Sequence, residues 1–463
     1  MKLEISKEAI PAHLCHYPDH RAFKDGEFWK EIPGWSSVSE QEFGDYMWQL
    51  KNSITSVDKM RDVLKHRVNE NLLKDFQKAL EIVPMNIRIT PYIFSLIDWD
   101  NPVEDPLRRE FMPIASQMLE NHPFFLKDTL YEDVDSPVQY LTHRYPDKVL
   151  FLTLSVCPHY CSYCTRSRLI GGSTLSREKQ IYSPSIAKYE EIFEYIREHD
   201  QIEDVVISGG DASLLKPELI RTIGKTLLDI DHIRRIRYAT KSLAVFPMKV
   251  LSDDEWFKAL IEVNEIGRKR GKHVCIHTHF SSPREISQWS RRAADRLFQE
   301  GLTVRNQTVF QSGVNNDVNV MGLFIRQLSY MNVHPYYVFI LDMVPGIEHL
   351  RTTLRDAVEM EKAMRGFTAG FNIPTFTCDL PTGGGKRHIA SYDFYDEETG
   401  VSVWRSPSVK PGKVFFYFDP VHRLESKTQT RWKDPSERKL MLEEALSHVS
   451  EDLKPDPVYG LPN

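Results

Sequence analysis

The feature that most constrains the fold is a regular alternation of apolar strands and amphipathic helices that begins near residue 148. Six runs rich in Val, Ile, Tyr and Phe are predicted as strands, at 148–155, 204–208, 234–240, 273–278, 302–310 and 335–342. Their nearly continuous apolar character is typical of strands buried on both faces. Helical patterns follow at 188–199, 218–230, 253–271 and 284–301, and near 317–332 and 349–365. The succession predicts an α/β fold with a parallel sheet, closed or partly closed as a (β/α)6 barrel, whose chemistry lies where strands end.

The flanking regions have different patterns. Residues 1–135 are predicted as a mostly helical region, with helices at 40–53, 57–65, 68–82 and 107–121. Residues 136–390 form the predicted βα core. Residues 391–463 are predicted as a C-terminal extension with short β-like pieces, VSVWRS and KVFFYF, and a charged tail with a helix at 436–449. We expect both flanks to serve packing or assembly.

Charge and hydropathy exclude several functional classes. The net charge of −6, from 59 basic and 65 acidic residues, argues against nucleic acid as a partner, because phosphate neutralisation needs a cationic surplus. The longest apolar run, 149–156, is far shorter than a membrane span. Charged residues interrupt the first ten positions, where a signal peptide needs an apolar stretch. We therefore predict a soluble, cytoplasmic protein.

Three of the six cysteines lie together. CPHYCSYC places Cys157, Cys161 and Cys164 in a C-x3-C-x2-C pattern directly after a predicted buried strand. Three thiolates on one loop are one ligand short of a closed iron–sulfur or structural zinc site, which suits a cluster with one open iron. A structural zinc with a distant fourth ligand, such as His159 or Cys378, is the alternative. An iron bound by S-adenosylmethionine explains the spacing better.

A second motif, VVISGGDAS, falls at the end of the next predicted strand. Gly209 and Gly210 permit close approach of the main chain to a ligand, and Asp211 offers an acceptor for an ammonium group. An ordinary βα turn is the alternative for this segment taken alone. Its position after the cysteine motif matches the site for the methionine amino group in radical S-adenosylmethionine enzymes.

A third glycine-rich motif, DLPTGGGKRH, contains Lys386. A P-loop would need Gly at 380 and Ser or Thr at 387, whereas the chain has Leu380 and Arg387. A lysine on a loop where backbone packs closely around a flat ring suits an imine to pyridoxal phosphate. An exposed loop lysine is the ordinary alternative.

Three further charged residues are candidates for substrate binding. Asp342 follows the apolar run YYVFIL, and Asp379 precedes Lys386 by seven positions. Two buried carboxylates at the catalytic face could neutralise a substrate ammonium. Arg166, in CTRSR, could hold a carboxylate by a bidentate contact. Taken singly, the aspartates could equally be caps or turn residues, and Arg166 a surface arginine.

Over residues 42 to 390 these motifs resemble the lysine 2,3-aminomutase family of radical S-adenosylmethionine enzymes. The resembling segments include DSPVQYLTHRYPDKVLFL, CPHYCSYCTRSR, ISGGDA, NQTVFQSGVNND, HPYYVFILD and the D-x-P-x-GGGK stretch. The resemblance implies three cofactors: a [4Fe–4S] cluster, S-adenosylmethionine and pyridoxal 5′-phosphate. It also implies an amino acid substrate, a reducing electron donor and no nucleic acid or membrane partner.

The resemblance assigns a role to each candidate residue. The cluster ligands are Cys157, Cys161 and Cys164; the residues at S-adenosylmethionine are Gly209, Gly210, Asp211 and Gln307; Lys386 carries pyridoxal phosphate. Arg166 holds the substrate carboxylate, and Asp342 and Asp379 hold the side-chain ammonium of lysine. Because glutamate-specific relatives replace these two acids, a basic substrate is favoured.

Several positions depart from the family pattern. Residues 390–463 contain no cysteine, so the zinc site that joins subunits in many family members is not expected, and any homo-oligomer would form without it. An arginine pair becomes Arg144 and Lys148, which keeps charge but loses one fork-shaped anion contact. The usual S-R-T-P reads Thr240, Lys241, Ser242, Leu243. The remaining thiols, Cys15, Cys275 and Cys378, are expected to be buried or incidental.

The leading functional hypothesis is an isomerase that moves the α-amino group of L-lysine to the β-carbon and produces β-lysine. Within the same reaction class, arginine or ornithine is the alternative substrate. From another class comes a radical S-adenosylmethionine enzyme without pyridoxal chemistry. From outside catalysis comes an iron–sulfur or zinc regulatory module.

Overall fold

The computed structural model describes residues 19–179 and 186–449, together with the backbone of a short strand at 454–455. The first ten residues, on which the prediction of no signal peptide rests, lie outside the described residues, as does Cys15. None of the helices in the two described ranges is both long and apolar enough to cross a membrane. Cys275 and Cys378 are buried, as expected.

A nine-stranded sheet forms the centre of the molecule, and its strands lie side by side in chain order. They are β1 (Leu141–Tyr145), β2 (Lys148–Leu154), β3 (Asp204–Gly209), β4 (Arg235–Ala239), β5 (His273–Thr278), β6 (Thr303–Phe310), β7 (Val333–Ile340), β8 (Thr375–Leu380) and β9 (Gly385–His388). Strands β2 to β8 are parallel, whereas β1 and β9 pair antiparallel with β2 and β8. The α/β class and the partial barrel are thus confirmed.

The two edges of this sheet approach each other. The backbone N–H of Lys386 on β9 donates to the Tyr145 hydroxyl at the end of β1, at 2.9 Å. This contact brings the first and last strands of the sheet together and leaves a barrel that is nearly closed. The reactive-lysine candidate therefore lies at the seam between the two edge strands.

The parallel strands number seven, one more than the predicted six. The missed strand, β8, has alternating apolar and polar residues, since Phe376, Cys378 and Leu380 are separated by Thr377 and Asp379. The prediction relied on continuous apolar runs, so this alternation did not stand out. The connecting helices are α7 (Ile186–Glu198), α8 (Pro217–Asp229), α9 (Ser242–Val245), α10 (Met248–Ser252), α11 (Asp254–Lys269), α12 (Gln288–Gln299), α13 (Val318–Tyr330) and α14 (Leu354–Met364).

The region before β1 is helical, as predicted, but its helices are shorter. They are α1 (Glu40–Phe43), α2 (Tyr46–Asn52), α3 (Val57–Leu64), α4 (Glu70–Ile82), α5 (Pro91–Leu96) and α6 (Pro106–Phe111). The predicted helix at 107–121 was wrong beyond Phe111. Met112 has φ −133° and ψ 83°, because the ring of Pro113 disfavours helical geometry at the residue before it.

The C-terminal extension forms a second sheet of four strands beside the barrel. It contains β10 (Phe394–Asp396), β11 (Val401–Arg405), β12 (Lys413–Phe418) and β13 (Lys454–Pro455), with helices α15 (Ser426–Lys433) and α16 (Pro435–Leu446). Strand β12 is buried on both faces: Phe416 and Phe418 pack in the small core with Trp432, while Phe415 and Tyr417 join the main core of the barrel. The boundaries at 135 and 390 remain predictions.

Candidate active site

A cavity of about 290 Å³ opens at the carboxyl ends of the parallel strands. It is lined by every residue that the sequence motifs singled out, namely Cys157, Cys161, Cys164, Arg166, Gly209, Gly210, Asp211, Gln307, Asp342, Asp379 and Lys386. A second cavity of about 190 Å³ adjoins it and shares a wall that includes Arg166, Gln307 and Lys386. Residues more than two hundred positions apart thus converge on one site, because all of the parallel strands end on the same side of the sheet.

The three thiols of the cysteine loop lie at one end of the cavity. Burial raises the pKa of each thiol, to about 12 for Cys161, and the neighbouring thiols contribute to the raised pKa of Cys157. A buried thiolate needs a compensating positive charge, and a bound metal supplies one. The loop therefore fits a metal cluster chemically. No three His, Cys, Asp or Glu side chains in the two described ranges are close enough together to hold a single ion.

The Gly-Gly-Asp loop after β3 brings backbone close to the cysteine loop. Gly209 has φ +112°, and any side chain on Gly210 would clash with the main chain of Val156. Asp211 accepts hydrogen bonds from the Ser213 N–H at 2.8 Å and the Thr240 hydroxyl at 2.5 Å. The Asp211 carboxylate thus joins the loops after β3 and β4, while its predicted contact with an ammonium group stays a prediction.

A buried ionic network lies beside the thiols. Lys241 Nζ is 2.7 Å from Glu285 Oε1 and 3.2 Å from Glu110 Oε1, and it donates to the His279 carbonyl at 2.8 Å. Both glutamates are fully buried. Burial and the nearby Glu110 raise the pKa of Glu285 to about 7. The charges of this network are therefore balanced by protein groups alone. Lys241 also lines the cavity.

Lys386 and Asp379 face each other at the opposite end of the cavity, where they form an ion pair. Although burial opposes it, the Asp379 carboxylate raises the pKa of Lys386, and Lys386 in turn lowers the pKa of Asp379. Gly385 has φ +79°, and an added side chain there would crowd the Tyr145 hydroxyl. The glycines before Lys386 therefore allow the loop to pack tightly against β1.

Asp342 is a buried carboxylate that lines the cavity without an ion-pair partner among the described residues. Burial, together with repulsion from Asp379, raises its pKa to about 8. A buried carboxylate in this state is stabilised by an arriving cation. Of the residues predicted to bind substrate, Asp342 and Asp379 are indeed brought together.

Arg166 lines both cavities, and a carboxylate holds it in place. Glu132 accepts from Arg166 Nε at 2.9 Å and from Nη2 at 2.6 Å, a bidentate contact. Although burial opposes it, Arg166 lowers the pKa of Glu132. Glu132 was not predicted, although it lies three positions before DSPVQYLTHRYPDKVLFL, one of the segments that carry the family resemblance.

Besides Arg166 and Lys386, the second cavity is lined by three further cationic side chains, Arg144, Lys148 and Arg237. Burial, and then repulsion from Lys386 and Arg237, lowers the pKa of Lys148 to about 7. Lys148 Nζ lies 3.8 Å from the centre of the Tyr145 ring. Such a set of basic side chains beside Lys386 fits the phosphate of pyridoxal phosphate. The sequence analysis noted Arg144 and Lys148 but missed Arg237, which lies in the interior of β4.

Residues 152–316 match the radical SAM superfamily. The chain is 36% identical to the L-lysine 2,3-aminomutase of Bacillus subtilis over 79% of this chain and 72% of that protein. It is 35% identical to the L-lysine 2,3-aminomutase of Clostridium subterminale, over 76% of this chain and 79% of the relative. The chain belongs to the lysine 2,3-aminomutase family. It is also 33% identical to the glutamate 2,3-aminomutase of Clostridioides difficile, over 75% of this chain and 77% of that protein.

Membership in the lysine 2,3-aminomutase family makes the chain an isomerase of the aminomutase type, with a [4Fe–4S] cluster, S-adenosylmethionine and pyridoxal phosphate as its cofactors. The residues of the cavity fit these groups. Thiols and a close-approach glycine backbone lie at one end, and a lysine with neighbouring basic side chains lies at the other. The family includes both lysine and glutamate enzymes, so the substrate has to be argued from the cavity itself.

Proposed function

We propose that this protein is an L-lysine 2,3-aminomutase that converts L-lysine to β-lysine, acts in the cytoplasm and requires a reducing electron donor. The observation that carries the proposal is the buried pair Asp342 and Asp379. Asp342 has a pKa near 8 and no cationic partner within the described protein, so it is an acceptor for a cation brought by the substrate. The side-chain ammonium of lysine supplies that cation.

The pair of aspartates also disfavours glutamate. A substrate side-chain carboxylate would lie against two acidic groups, and like charges in a buried site cost several kcal/mol. Phe339, Leu341 and Val309 line the same cavity and offer an apolar surface for a methylene chain. The combination suits a substrate with a long aliphatic side chain that ends in a positive charge.

The other residues of the cavity would bind the three cofactors. When bound, the cluster and S-adenosylmethionine supply radical chemistry, and pyridoxal phosphate supplies conjugation with the migrating nitrogen. Cys157, Cys161 and Cys164 would hold the cluster, while Gly209, Gly210, Asp211 and Gln307 would line the S-adenosylmethionine site. Lys386 would attach pyridoxal phosphate.

The substrate would be held at both ends. Arg166, fixed by Glu132, would bind the α-carboxylate, and the two aspartates would bind the side-chain ammonium. Contacts at both ends fix the position of the β-carbon, and a displacement of even about 1 Å can slow such a reaction by two orders of magnitude. The walls of the cavity also keep bulk water from the reacting carbon.

A panel of amino acids tests the substrate. Purified, reconstituted protein is incubated anaerobically with S-adenosylmethionine, pyridoxal phosphate, dithionite and separately lysine, arginine, ornithine or glutamate. We expect β-lysine from lysine and no product from glutamate. A product from arginine or ornithine with none from lysine would overturn the proposal in favour of another basic amino acid.

A matched pair of variants tests the role of Asp342. Asp342→Asn should raise KM for lysine by about 30-fold or more, since losing one partner of a buried charge pair costs at least about 2 kcal/mol. Asp295→Asn, which removes a half-buried carboxylate on α12 outside both cavities, should leave KM unchanged. Borohydride reduction should trap a pyridoxyl group on Lys386; absence of the adduct would favour radical chemistry without pyridoxal phosphate.

A further inference from the structure

We propose that Lys410 of the C-terminal extension is a positioning residue for pyridoxal phosphate, because it clamps the glycine-rich loop that carries Lys386. This inference rests on the proposed function, in which Lys386 binds the cofactor, and on the fit of the basic side chains of the second cavity, Arg144 among them, to the cofactor phosphate. Lys410 itself lies behind the loop, outside the residues that line either cavity. It would therefore act through the residues that it holds.

Lys410 joins two parts of the lysine end of the site. Its Nζ donates to the Thr382 carbonyl at 3.3 Å and lies 3.2 Å from Asp135 Oδ1. The other oxygen of Asp135 accepts from Arg144 Nε at 2.6 Å. One ammonium group thus links the loop before Lys386 to the arginine expected at the cofactor phosphate.

The loop needs such support because its backbone is strained. Thr382 is β-branched, yet it adopts φ +60° and ψ 19°, a left-handed conformation that such residues rarely adopt. Residues in this region are strained and persist only where the surroundings fix them. The Thr382 N–H donates to the Thr129 carbonyl at 2.9 Å, so the peptide groups on both sides of this residue are held.

The space around the next residue is equally restricted. A side chain on Gly383, which has φ +83°, would lie 2.6 Å from Lys410 Nζ and 2.8 Å from Asp135 Oδ2. The Ser406 hydroxyl also donates to the Gly384 carbonyl. The segment 406–410 therefore holds two carbonyl groups of the loop, those of Thr382 and Gly384.

This arrangement gives the C-terminal extension a part in cofactor binding. The extension lies beyond the βα core that carries every recognised motif, and most residues of the small core around Trp432 belong to it. Residues 406–410 and the inner face of β12 reach the glycine-rich loop and the strand end at Leu341, whose carbonyl accepts from the Tyr417 hydroxyl at 2.9 Å. We expect loss of the Lys410 clamp to loosen the loop without dismantling the barrel.

Three variants of the full chain test the clamp. Lys410→Met removes the ammonium and keeps most of the side-chain length, Lys410→Arg keeps the charge, and Lys427→Met removes an exposed lysine of the same extension that pairs with Glu398. The dissociation constant of pyridoxal phosphate is measured by absorbance on cofactor-free protein. We expect Lys410→Met to weaken binding about tenfold, Lys410→Arg to recover most of it, and Lys427→Met to match the wild type.

A second measurement needs no cofactor. Hydrogen exchange of the amides at 382–386 in cofactor-free protein should be faster in Lys410→Met than in the wild type and the other two variants, at an unchanged melting temperature. Unchanged loop exchange, equal cofactor affinity in Lys410→Met and wild type, or a loss that follows a fall in melting temperature would overturn the clamp. A wild-type protein that binds no pyridoxal phosphate would refute the proposed function instead, and the exchange experiment would still decide on the clamp.

Discussion

The two ends of the cavity balance their charges in different ways. At the thiol end, Lys241 is paired with Glu110 and Glu285, and Asp211 is bonded to neighbouring loops, so the protein compensates its own ionic groups. At the lysine end, burial and like charges raise the pKa of Asp342 and lower that of Lys148. At the thiol end the protein balances the charged side chains and only the thiols await a metal, whereas the lysine end keeps Asp342 and Lys148 shifted towards their neutral forms until a ligand supplies the opposite charge.

This difference indicates how each end discriminates. A cluster held by three thiolates is selected by the type of its ligand atoms, so the charged side chains around it can be paired with each other. An amino acid and a phosphorylated cofactor are selected by charge, so the groups that bind them must remain available. The following predictions test whether charged side chains are balanced by the protein at the thiol end and by ligands at the lysine end.

The largest effect is expected from removal of a cluster ligand. Cys161→Ala should reduce the iron content of reconstituted protein to background and abolish S-adenosylmethionine cleavage, because two thiolates cannot hold the cluster. Cys275→Ala, at a buried thiol within β5, should retain both properties. Iron analysis and the visible absorption spectrum provide the measurement. Full iron content in Cys161→Ala would remove the thiol end from the proposed chemistry.

The next effect concerns the charges that the thiol end balances internally. Lys241→Met leaves Glu110 and Glu285 buried without their cation, and breaking a buried ion pair costs about 3–5 kcal/mol. Lys241→Arg, which keeps the positive charge, should cost much less. Denaturant unfolding of cofactor-free protein measures both. A loss below about 1 kcal/mol in Lys241→Met would contradict the internal balance described for this end.

The contrast between the two ends also explains what the sequence could predict. The thiol end is encoded locally: three cysteines within eight residues and a Gly-Gly-Asp after the next strand suffice to place it. At the lysine end, Lys386, Asp379 and Asp342 were found from their motifs and positions near strand ends. The residues of both ends could therefore be predicted from sequence motifs and their spacing.

The residues that support these groups were harder to predict, because their roles depend on contacts between distant parts of the chain. Tyr145 meets Lys386 across 241 positions, and Lys241 meets Glu110 across 131. No local periodicity signals such contacts. The seventh parallel strand was missed for a related reason, since the alternation in β8 is weaker than the apolar runs of its neighbours. Pro113, by contrast, was visible in the sequence and should have ended the predicted helix there.

A third prediction tests the unbalanced carboxylate at the lysine end. Because the pKa of Asp342 is raised from its ordinary value to about 8, the folded protein holds a proton that the unfolded chain releases above about pH 4. Stability from this group is therefore lost as the pH rises from about 4 to 8. Relative to Asp342→Asn, cofactor-free wild type should lose about 3–4 kcal/mol between about pH 5 and pH 8.

Thermal or denaturant unfolding of the two proteins at several pH values measures that difference. Asp295→Asn serves as a control, since loss of this half-buried carboxylate outside the cavities should leave the pH dependence of the wild type unchanged. Parallel stability curves for wild type and Asp342→Asn would show that Asp342 is already balanced by the protein. The lysine end would then resemble the thiol end.

The smallest effect concerns Lys148, the side chain of the second cavity whose pKa is lowered. With a pKa lowered to about 7, Lys148 loses its charge as the pH rises from about 7 to 9, while a phosphate monoester stays doubly ionised over that range. Pyridoxine 5′-phosphate carries the phosphate but cannot form an imine with Lys386, so its affinity reports on the anion contacts alone. We expect this affinity to fall about fivefold over the range, equivalent to about 1 kcal/mol. In Lys148→Arg the charge persists, so the affinity should stay constant. An equal fall in both proteins would place the titrating group elsewhere, and a flat wild-type profile would mean that Lys148 keeps its charge without a ligand.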